Sequence, residues 1–200
     1  MAWYEKATDD FNRADENPLS KGGMWQGWSD RPKMKVLSNV ATLNTFAVFN
    51  FSMYTGVRFG PNQYVQSTNA GTSGYMGHVL RANGMPGSSA AASWYFVYWN
   101  SGNNLVNMFR ILNGVGTQII TNAAGNSAAG TFRSEFIGSN FKLYRNSVQI
   151  ATVNDSVIPT GYPGICLNDT PAVHNNFSAG DDGTGLFSPF PAGRPSALNQ

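Results

Sequence analysis

Acidic residues are absent from the middle of this 200-residue chain, where no Asp or Glu lies between Asp30 and Glu135. Hydrolysis of a glycosidic bond generally needs two positioned carboxyl groups, and Glu135 stands by itself on its predicted strand. Arg133 lies two residues away on the same face of that strand, which predicts an ion pair. The chain also lacks the Gly-x-Ser-x-Gly motif of many hydrolases. We therefore expect that this protein is not an enzyme and has no catalytic residues.

Histidine and cysteine are scarce, with two histidines and one cysteine in the chain. His78 lies in a predicted strand and His174 begins the last predicted strand, so we expect each to make a structural hydrogen bond. Cys166 lies in an apolar strand and has no second cysteine with which to form a disulfide, so we expect it in the core. These residues are too few and too scattered for a zinc site.

Long apolar runs are also missing, and none approaches the length of a membrane-spanning helix. The N-terminal MAWYEKATDDFN has neither the basic start nor the apolar core of a secretory signal peptide. Charged residues make up only 12% of the chain, and its bases are spaced singly rather than in a stripe that could follow a phosphate backbone. We expect synthesis in the cytoplasm and no binding to membranes or nucleic acid. The alternative is a secreted or cell-surface protein whose signal has been lost.

Turn residues interrupt the chain about every 8–12 residues, a spacing typical of an antiparallel β-sandwich or jelly roll. We predict an N-terminal arm over residues 1–8, one β-sandwich domain over 9–182 and an extended, Pro-rich C-terminal tail over 183–200. After a first strand and a Trp-rich loop in residues 9–30, strands are predicted near 33–39, 44–57, 62–68, 74–82, 91–99, 104–112, 116–121, 130–137, 140–146, 148–154, 162–168 and 174–180.

One hairpin is predicted with particular detail, around Asn146-Ser147. Apolar and polar residues alternate on both sides of this pair, with Phe141 and Leu143 before it and Val148 after it. Asn tolerates the positive φ that a two-residue type I′ turn needs. The pattern therefore predicts two antiparallel strands joined by this turn.

The segment FKLYRN, the later GYPGI and the closing NNFSAGD resemble the concanavalin A-like lectin/glucanase superfamily, as does the opening DDFNRAD followed by Pro18-Leu19. The similarity is to the laminin-G-like jelly-roll domains of bacterial and phage proteins, and it covers roughly residues 8–182. It implies an all-β fold, an antiparallel β-sandwich with short arms. The glucanases of this superfamily carry a Glu-x-Asp-x-x-Glu arrangement that is absent here. Ser147 stands where such domains usually have Gly.

The resemblance also implies calcium as a candidate cofactor, because many proteins of this fold bind it on a loop rim through hard oxygen ligands. Four carboxylates would converge if the first and last strands pair: Asp9, Asp10, Asp181 and Asp182. The alternative is that they protect edge strands from aggregation. No other cofactor is expected.

Aromatic residues make up 13% of the chain and suggest contacts with sugars, since exposed Trp and Tyr rings stack on the apolar faces of sugar rings. In the strand around residues 94–99, Trp94, Phe96 and Tyr98 share one face, and Trp99 lies on the other. The candidates for glycan contacts are Trp25, Trp28, Trp94 and Trp99. The alternative is that these rings fill the core of the sandwich.

The lack of catalytic residues and the terminal arms favour a structural or interaction protein. The main hypothesis is a virion surface component of a tailed phage, a capsid decoration or fibre-associated protein. It would bind neighbouring virion subunits, or copies of itself, through its domain and arms. The candidate anchors are Trp3, Tyr4, Phe187, Phe190 and Arg194. The alternative is a carbohydrate-binding module or adhesin that recognises glycans through surface aromatic residues.

Overall fold

The computed structural model describes residues 2–46, 48–69, 74–100, 105–124, 129–169 and 172–184. Within these ranges the chain forms two antiparallel β-sheets, which confirms the predicted all-β sandwich. The strands are β1 (Tyr4–Asp9), β2 (Trp25–Gln26), β3 (Lys35–Leu37), β4 (Val40–Thr42), β5 (Asn50–Tyr54), β6 (Gln63–Asn69), β7 (Tyr75–Ala82), β8 (Trp94–Asn100), β9 (Leu105–Leu112), β10 (Val115–Ala124), β11 (Gly130–Ile137), β12 (Asn140–Arg145), β13 (Val148–Asn154), β14 (Tyr162–Leu167) and β15 (His174–Asp181).

The eight-stranded sheet has the order β13-β12-β11-β6-β15-β4-β3, and β1 also pairs with β15. The seven-stranded sheet has the order β10-β9-β8-β7-β14-β5-β2. Strands far apart in sequence therefore lie side by side, as β6 and β15 do in the register Ala179↔Val65. A short 3₁₀ turn covers Ser89–Ala91, and none of the helical segments in the described ranges has the length and apolar character needed to cross a membrane.

The core between the sheets is built from alternate residues of each strand, as the period-two pattern predicts. Trp99 of β8 stacks on Phe132 of β11, with ring centroids 4.0 Å apart. Tyr95 of β8 packs against Phe136 of β11 at 4.7 Å. Each of these side chains is nearly or fully buried, and burial of such a side chain contributes about 1.5–3 kcal/mol. Arg133 follows the core residue Phe132 on β11 and therefore points to the outer face of the eight-stranded sheet.

The predicted strands from residue 62 onward are confirmed, with small differences at their ends. Earlier in the chain the outcome is different. Residues 4–8, predicted as an arm, belong to strand β1, which pairs with residues 177–181 at the end of the last strand. The predicted strand over 44–57 is shortened to Asn50–Tyr54. Strand β1 has a weak pattern because only Ala7 and Asp9 among its residues are buried, so its edge position is set by the partner strand and not by its own apolar residues.

Candidate functional site

The outer face of the seven-stranded sheet is apolar and aromatic, which is unusual for a face that does not form the core between two sheets. A second hydrophobic cluster lies there, separate from the core cluster. On β8 it contains Trp94 and Phe96, which alternate with the core residues of the same strand. Phe51, Ile111 and Cys166 come from neighbouring strands. The predicted division of β8 into two faces is thereby confirmed.

An open cleft of about 290 Å³ crosses this face, and we call it the aromatic cleft. Its lining residues are Arg31, Val48, Phe49, Phe51, Trp94, Phe96, Ile111 and Asn168. Phe49 precedes β5 and packs against Phe96, with centroids 5.5 Å apart at 66°. Phe96 in turn stacks on Phe109 of β9 at 5.3 Å and 14°. These rings offer a continuous apolar surface to a ligand.

Two polar atoms in the aromatic cleft are buried without a partner. The indole N–H of Trp94 has no acceptor, and Oδ1 of Asn168 has no donor, among the described residues. A buried donor or acceptor that makes no hydrogen bond costs about 1–3 kcal/mol. A hydroxyl group both accepts and donates hydrogen bonds, so a ligand rich in hydroxyl groups has the chemistry to satisfy both atoms once a small side-chain shift opens them to the cleft.

The two residues that carry the unpartnered atoms lie at backbone levels near opposite ends of β8. Trp94 opens β8, and Asn100 closes it. Asn100 pairs with Tyr75, whose carbonyl accepts a hydrogen bond of 3.0 Å from the Asn168 N–H. Six residues of strand therefore separate the two backbone levels, or about 20 Å. A ligand that reaches both must be longer than one sugar ring.

The four tryptophans predicted to contact glycans are buried, with exposures of 0–3%. Trp94 lines the aromatic cleft. Trp28 lies behind it, with ring centroids 4.1 Å apart, and donates its N–H to the Asn83 carbonyl. Trp25 packs on Phe177 in the core. The expectation that Trp25 and Trp28 are exposed in a loop is wrong, because Trp25 lies in strand β2 and packs in the core, and Trp28 is buried in the second hydrophobic cluster.

Trp99 also belongs to the core, on the face of β8 opposite to Trp94. Its ring lies between the two sheets and reaches no outer surface. Of the eight lining residues, the sequence pointed only to Trp94 as a glycan contact. Phe49 and Asn168 fell within the predicted strands 44–57 and 162–168, where no local pattern shows that a side chain faces an outer cleft. The alternation of Phe49 and Phe51 is the signal that could have included the first of them.

The carboxylates proposed for calcium do not converge. Strands β1 and β15 do pair, but in an antiparallel register that sets Asp9 opposite Phe177 and Asp181 opposite Tyr4. The two acids therefore lie at opposite ends of the pair, about 15 Å apart along the strands. Across the described ranges, no three or more His, Cys, Asp or Glu side chains form a group that could hold a metal ion.

Each of these carboxylates serves a local contact instead. Asp9 accepts hydrogen bonds from Trp25 Nε1 at 2.8 Å and from Arg13 at 2.6 Å. Asp10 accepts from the Asn12 N–H. Asp181 forms an ion pair with Lys6 and accepts from the Gly60 N–H. Asp182 accepts from Asn62 at 2.7 Å and from the N–H of the following Thr184, and its hydrogen bonds lower the pKa of this carboxyl despite partial desolvation.

The candidate anchors of the N-terminal arm have different environments. Trp3 packs edge-on against Tyr64 of its own domain, with centroids 5.4 Å apart. Tyr4 is 58% exposed. The other candidates for partner contacts, Phe187, Phe190 and Arg194, lie outside the described residues, as does most of the predicted tail.

The groups considered for catalysis serve the structure. Arg133 Nε donates to Glu135 at 3.2 Å, which confirms the predicted ion pair. His78 and His174 are fully buried and hydrogen-bonded to Ser67, as predicted for structural residues. Burial raises the pKa of the Cys166 thiol, which is consistent with the predicted core position. None of the side chains that line the aromatic cleft carries a carboxyl group.

No family model matches the chain, and no curated protein is similar to it in sequence. Solved structures share its fold. The carbohydrate binding module CBM66 from Bacillus subtilis has a TM-score of 0.59 at 17% identity, covering 82% of this chain and 99% of the module. A Bacillus subtilis protein of unknown function with a galectin-like fold has a TM-score of 0.56 at 10% identity, over 90% and 98% of the two chains.

The exoplasmic domain of VIP36 in a Ca²⁺- and mannose-bound form has a TM-score of 0.54 at 10% identity. The match covers 82% of this chain and 87% of that domain. At these identities the likeness concerns the fold and not the ligand. Taken with the two sheets and their strand order, it shows that this chain has the concanavalin A-like jelly-roll fold.

Proposed function

We propose that this protein is a non-catalytic carbohydrate-binding protein that holds an oligosaccharide in the aromatic cleft. The observation that carries the proposal is the pair of unpartnered polar atoms, Trp94 Nε1 and Asn168 Oδ1, at the edges of an aromatic surface. Aromatic rings such as Phe49 and Phe96 would contact the C–H faces of the sugar rings. Hydroxyl groups would then accept from Trp94 and donate to Asn168.

Other ligands fit this chemistry less well. A purely apolar ligand would leave both polar atoms unsatisfied, and a cationic ligand would be repelled by Arg31, the one charged side chain of the lining. A carboxyl pair for hydrolysis is absent from that lining, which supports binding without catalysis. Similar structures include a carbohydrate binding module and a mannose-bound lumenal domain, and this likeness adds support at the level of the fold.

The test begins with a glycan array, followed by calorimetric titration of the best-bound oligosaccharide. Trp94→Phe keeps an aromatic ring and removes the N–H, so we expect the affinity to fall about threefold to tenfold, as for one lost hydrogen bond. Trp99→Phe is the matched control, because it removes an equally unpartnered indole N–H from the core. We expect it to leave the affinity unchanged. An array without binding, or equal affinities of the Trp94→Phe variant and the parent protein, would contradict the proposal.

The role as a virion surface component and the location on the virion surface stay predictions. They rest on composition and on terminal segments, and their anchors Phe187, Phe190 and Arg194 lie outside the described residues. Glycan binding and a virion location are compatible, since a surface protein of a virion can also bind sugars.

A further inference from the structure

A second cleft, which we call the Trp3 cleft, lies on the outer face of the eight-stranded sheet, on the opposite side of the sandwich from the aromatic cleft. It has a volume of about 390 Å³. Arg133 and Glu135 of β11 form part of it, and they alternate with core residues of the same strand. Trp3 forms one wall and Tyr144 of β12 another.

The charged groups of the Trp3 cleft are held in place and compensate each other. The Arg133 guanidinium lies over the Tyr64 ring at 3.9 Å and over the Trp3 ring at 5.2 Å. Its Nε donates to Glu135 Oε2 at 3.2 Å, and the Tyr144 hydroxyl donates to Glu135 Oε1 at 3.0 Å. Such an arrangement loses little side-chain freedom when a ligand arrives, which favours binding.

The hydrogen-bonding capacity of the cleft exceeds what the protein itself uses. A guanidinium has five N–H donors, of which one bonds to Glu135 and another to the Tyr64 hydroxyl. Each carboxylate oxygen of Glu135 accepts one of the two bonds for which it has lone pairs. The side chains of Gln66 and Ser147 also line the cleft, and both can donate and accept. Donors and acceptors are thus mixed around an aromatic wall.

We propose that the Trp3 cleft is a second carbohydrate site, which takes a short neutral ligand of one or two sugar rings. Vicinal hydroxyls would bond to Arg133 and Glu135, and the Trp3 ring would contact the C–H face of the sugar. An anionic ligand is disfavoured because the Glu135 carboxylate faces the same space. This site does not depend on the aromatic cleft, and it would let one molecule bind glycans on both faces.

Two occupied faces would make the protein a cross-linker of glycan chains. The sheets of a sandwich lie about 10 Å apart, and their outer faces point in opposite directions. One short ligand therefore cannot fill both clefts. Multivalent binding of this kind raises the avidity for a glycan-coated surface without any new contact.

The five tryptophans of the chain allow a direct test by NMR of the indole N–H signals. We add each of five neutral sugars to about 50 mM: glucose, galactose, mannose, fructose and N-acetylglucosamine. The concentration is high because a small site is expected to bind weakly, and a Kd near 1 mM corresponds to only about −4 kcal/mol. We expect at least one sugar to shift the Trp3 signal. Trp3→Ala removes that signal, so sugar binding to this variant is followed through the Arg133 Nε–H signal, and the affinity should fall at least about fivefold, a loss of about 1 kcal/mol.

Two control variants separate this site from its surroundings. Tyr4→Ala changes the next residue of the same segment, which does not line the cleft, and should leave the binding unchanged. Trp94→Phe should also leave the Trp3 shift unchanged, so that the two clefts succeed or fail separately. The absence of any Trp3 shift, or a shift by glucuronate and not by the neutral sugars, would overturn the proposal.

Discussion

Arg81 shows how a single side chain organises one end of the sandwich. It is 2% exposed, and its guanidinium donates to the carbonyl oxygens of Pro61 at 2.8 Å, Gly138 at 2.6 Å and Ile158 at 3.0 Å. These carbonyls belong to three different loops. Its charge also lies over the Phe136 ring at 4.1 Å. Burial lowers the pKa of Arg81 to about 10, so the cation persists at neutral pH.

Replacing Arg81 should therefore cost far more stability than its position near a strand end suggests. Arg81→Met leaves buried carbonyls unpaired, and we expect a loss of about 3–5 kcal/mol. Arg81→Lys keeps the charge without the planar fork and should lose about half as much. Urea denaturation measures both. Arg58→Met, at an exposed arginine, should stay within about 0.5 kcal/mol of the parent. An Arg81→Met variant as stable as the parent would refute this role.

Among the strand pairs, the β12–β13 hairpin has a local conformational cost that the β9–β10 hairpin avoids. Its turn residues Asn146 and Ser147 have φ of 46° and 68°, which confirms the predicted type I′ geometry. The β9–β10 hairpin uses Asn113-Gly114 with φ of 49° and 77°. Glycine adopts this conformation without the strain that a Cβ atom causes. Ser147 therefore carries strain that Gly114 does not.

Ser147→Gly should stabilise the protein by relieving this strain. We expect a gain of about 0.5–1 kcal/mol and a rise in Tm of about 1–4 °C for a domain of this size. Ser139→Gly is the matched control, since Ser139 follows Gly138 in the β11–β12 turn and has no positive φ. It should not raise Tm. Equal effects of the two substitutions in differential scanning calorimetry would show that the turn geometry is not the cause.

Across the whole molecule, a chain of buried hydrogen bonds joins the two sheets. His174 Nε2 donates to the Cys166 carbonyl at 3.1 Å, so its Nδ1 accepts from Ser67 at 2.8 Å. Ser67 then accepts from His78 Nε2 at 2.9 Å, and His78 Nδ1 accepts from Ser134 at 2.8 Å. When both imidazole rings are neutral, each N–H and O–H group of this chain donates to one defined acceptor. A further proton would face a hydroxyl group that already donates.

This network predicts a loss of stability on mild acidification. Burial lowers the pKa of His174 to about 4, and burial together with the nearby His174 lowers that of His78. The unfolded chain takes up these protons below about pH 6.5 whereas the folded chain does not, so stability falls as pH drops below that value. Each histidine should cost about 2 kcal/mol between pH 7 and pH 5.

The corresponding fall in Tm is about 8 °C or more for the two residues together. The carboxyl groups of Glu16, Asp155 and Asp182 have pKa values lowered from their ordinary range, so their contribution to stability is lost mainly at more acidic pH than this window. Thermal unfolding at pH 7, 6 and 5 measures the effect, and NMR of the two imidazole rings should show no titration in the folded state. A Tm that is constant over this range would contradict the assignment.

Much of the fold was predictable because its signals are local. Alternation with a period of two placed the strands from β6 to β15, and residues that accept positive φ marked the turns. The all-β class and the two faces of β8 follow from the same pattern. Even the type I′ turn at Asn146 depends on two residues and their neighbours. These features need no knowledge of which strands meet.

The clefts and the carboxylate positions depend on contacts between distant strands. Asp9 and Asp181 were expected to converge, but antiparallel register separates them. Alternation alone does not say that the outer face of β8 is aromatic cleft and not core, because both faces of the strand are apolar. Thus the sequence by itself determined the strands, the turns and the fold class. Only the tertiary structure decided where Trp94, Asn168 and Arg133 lie, since register and sheet order are set by packing across the whole chain.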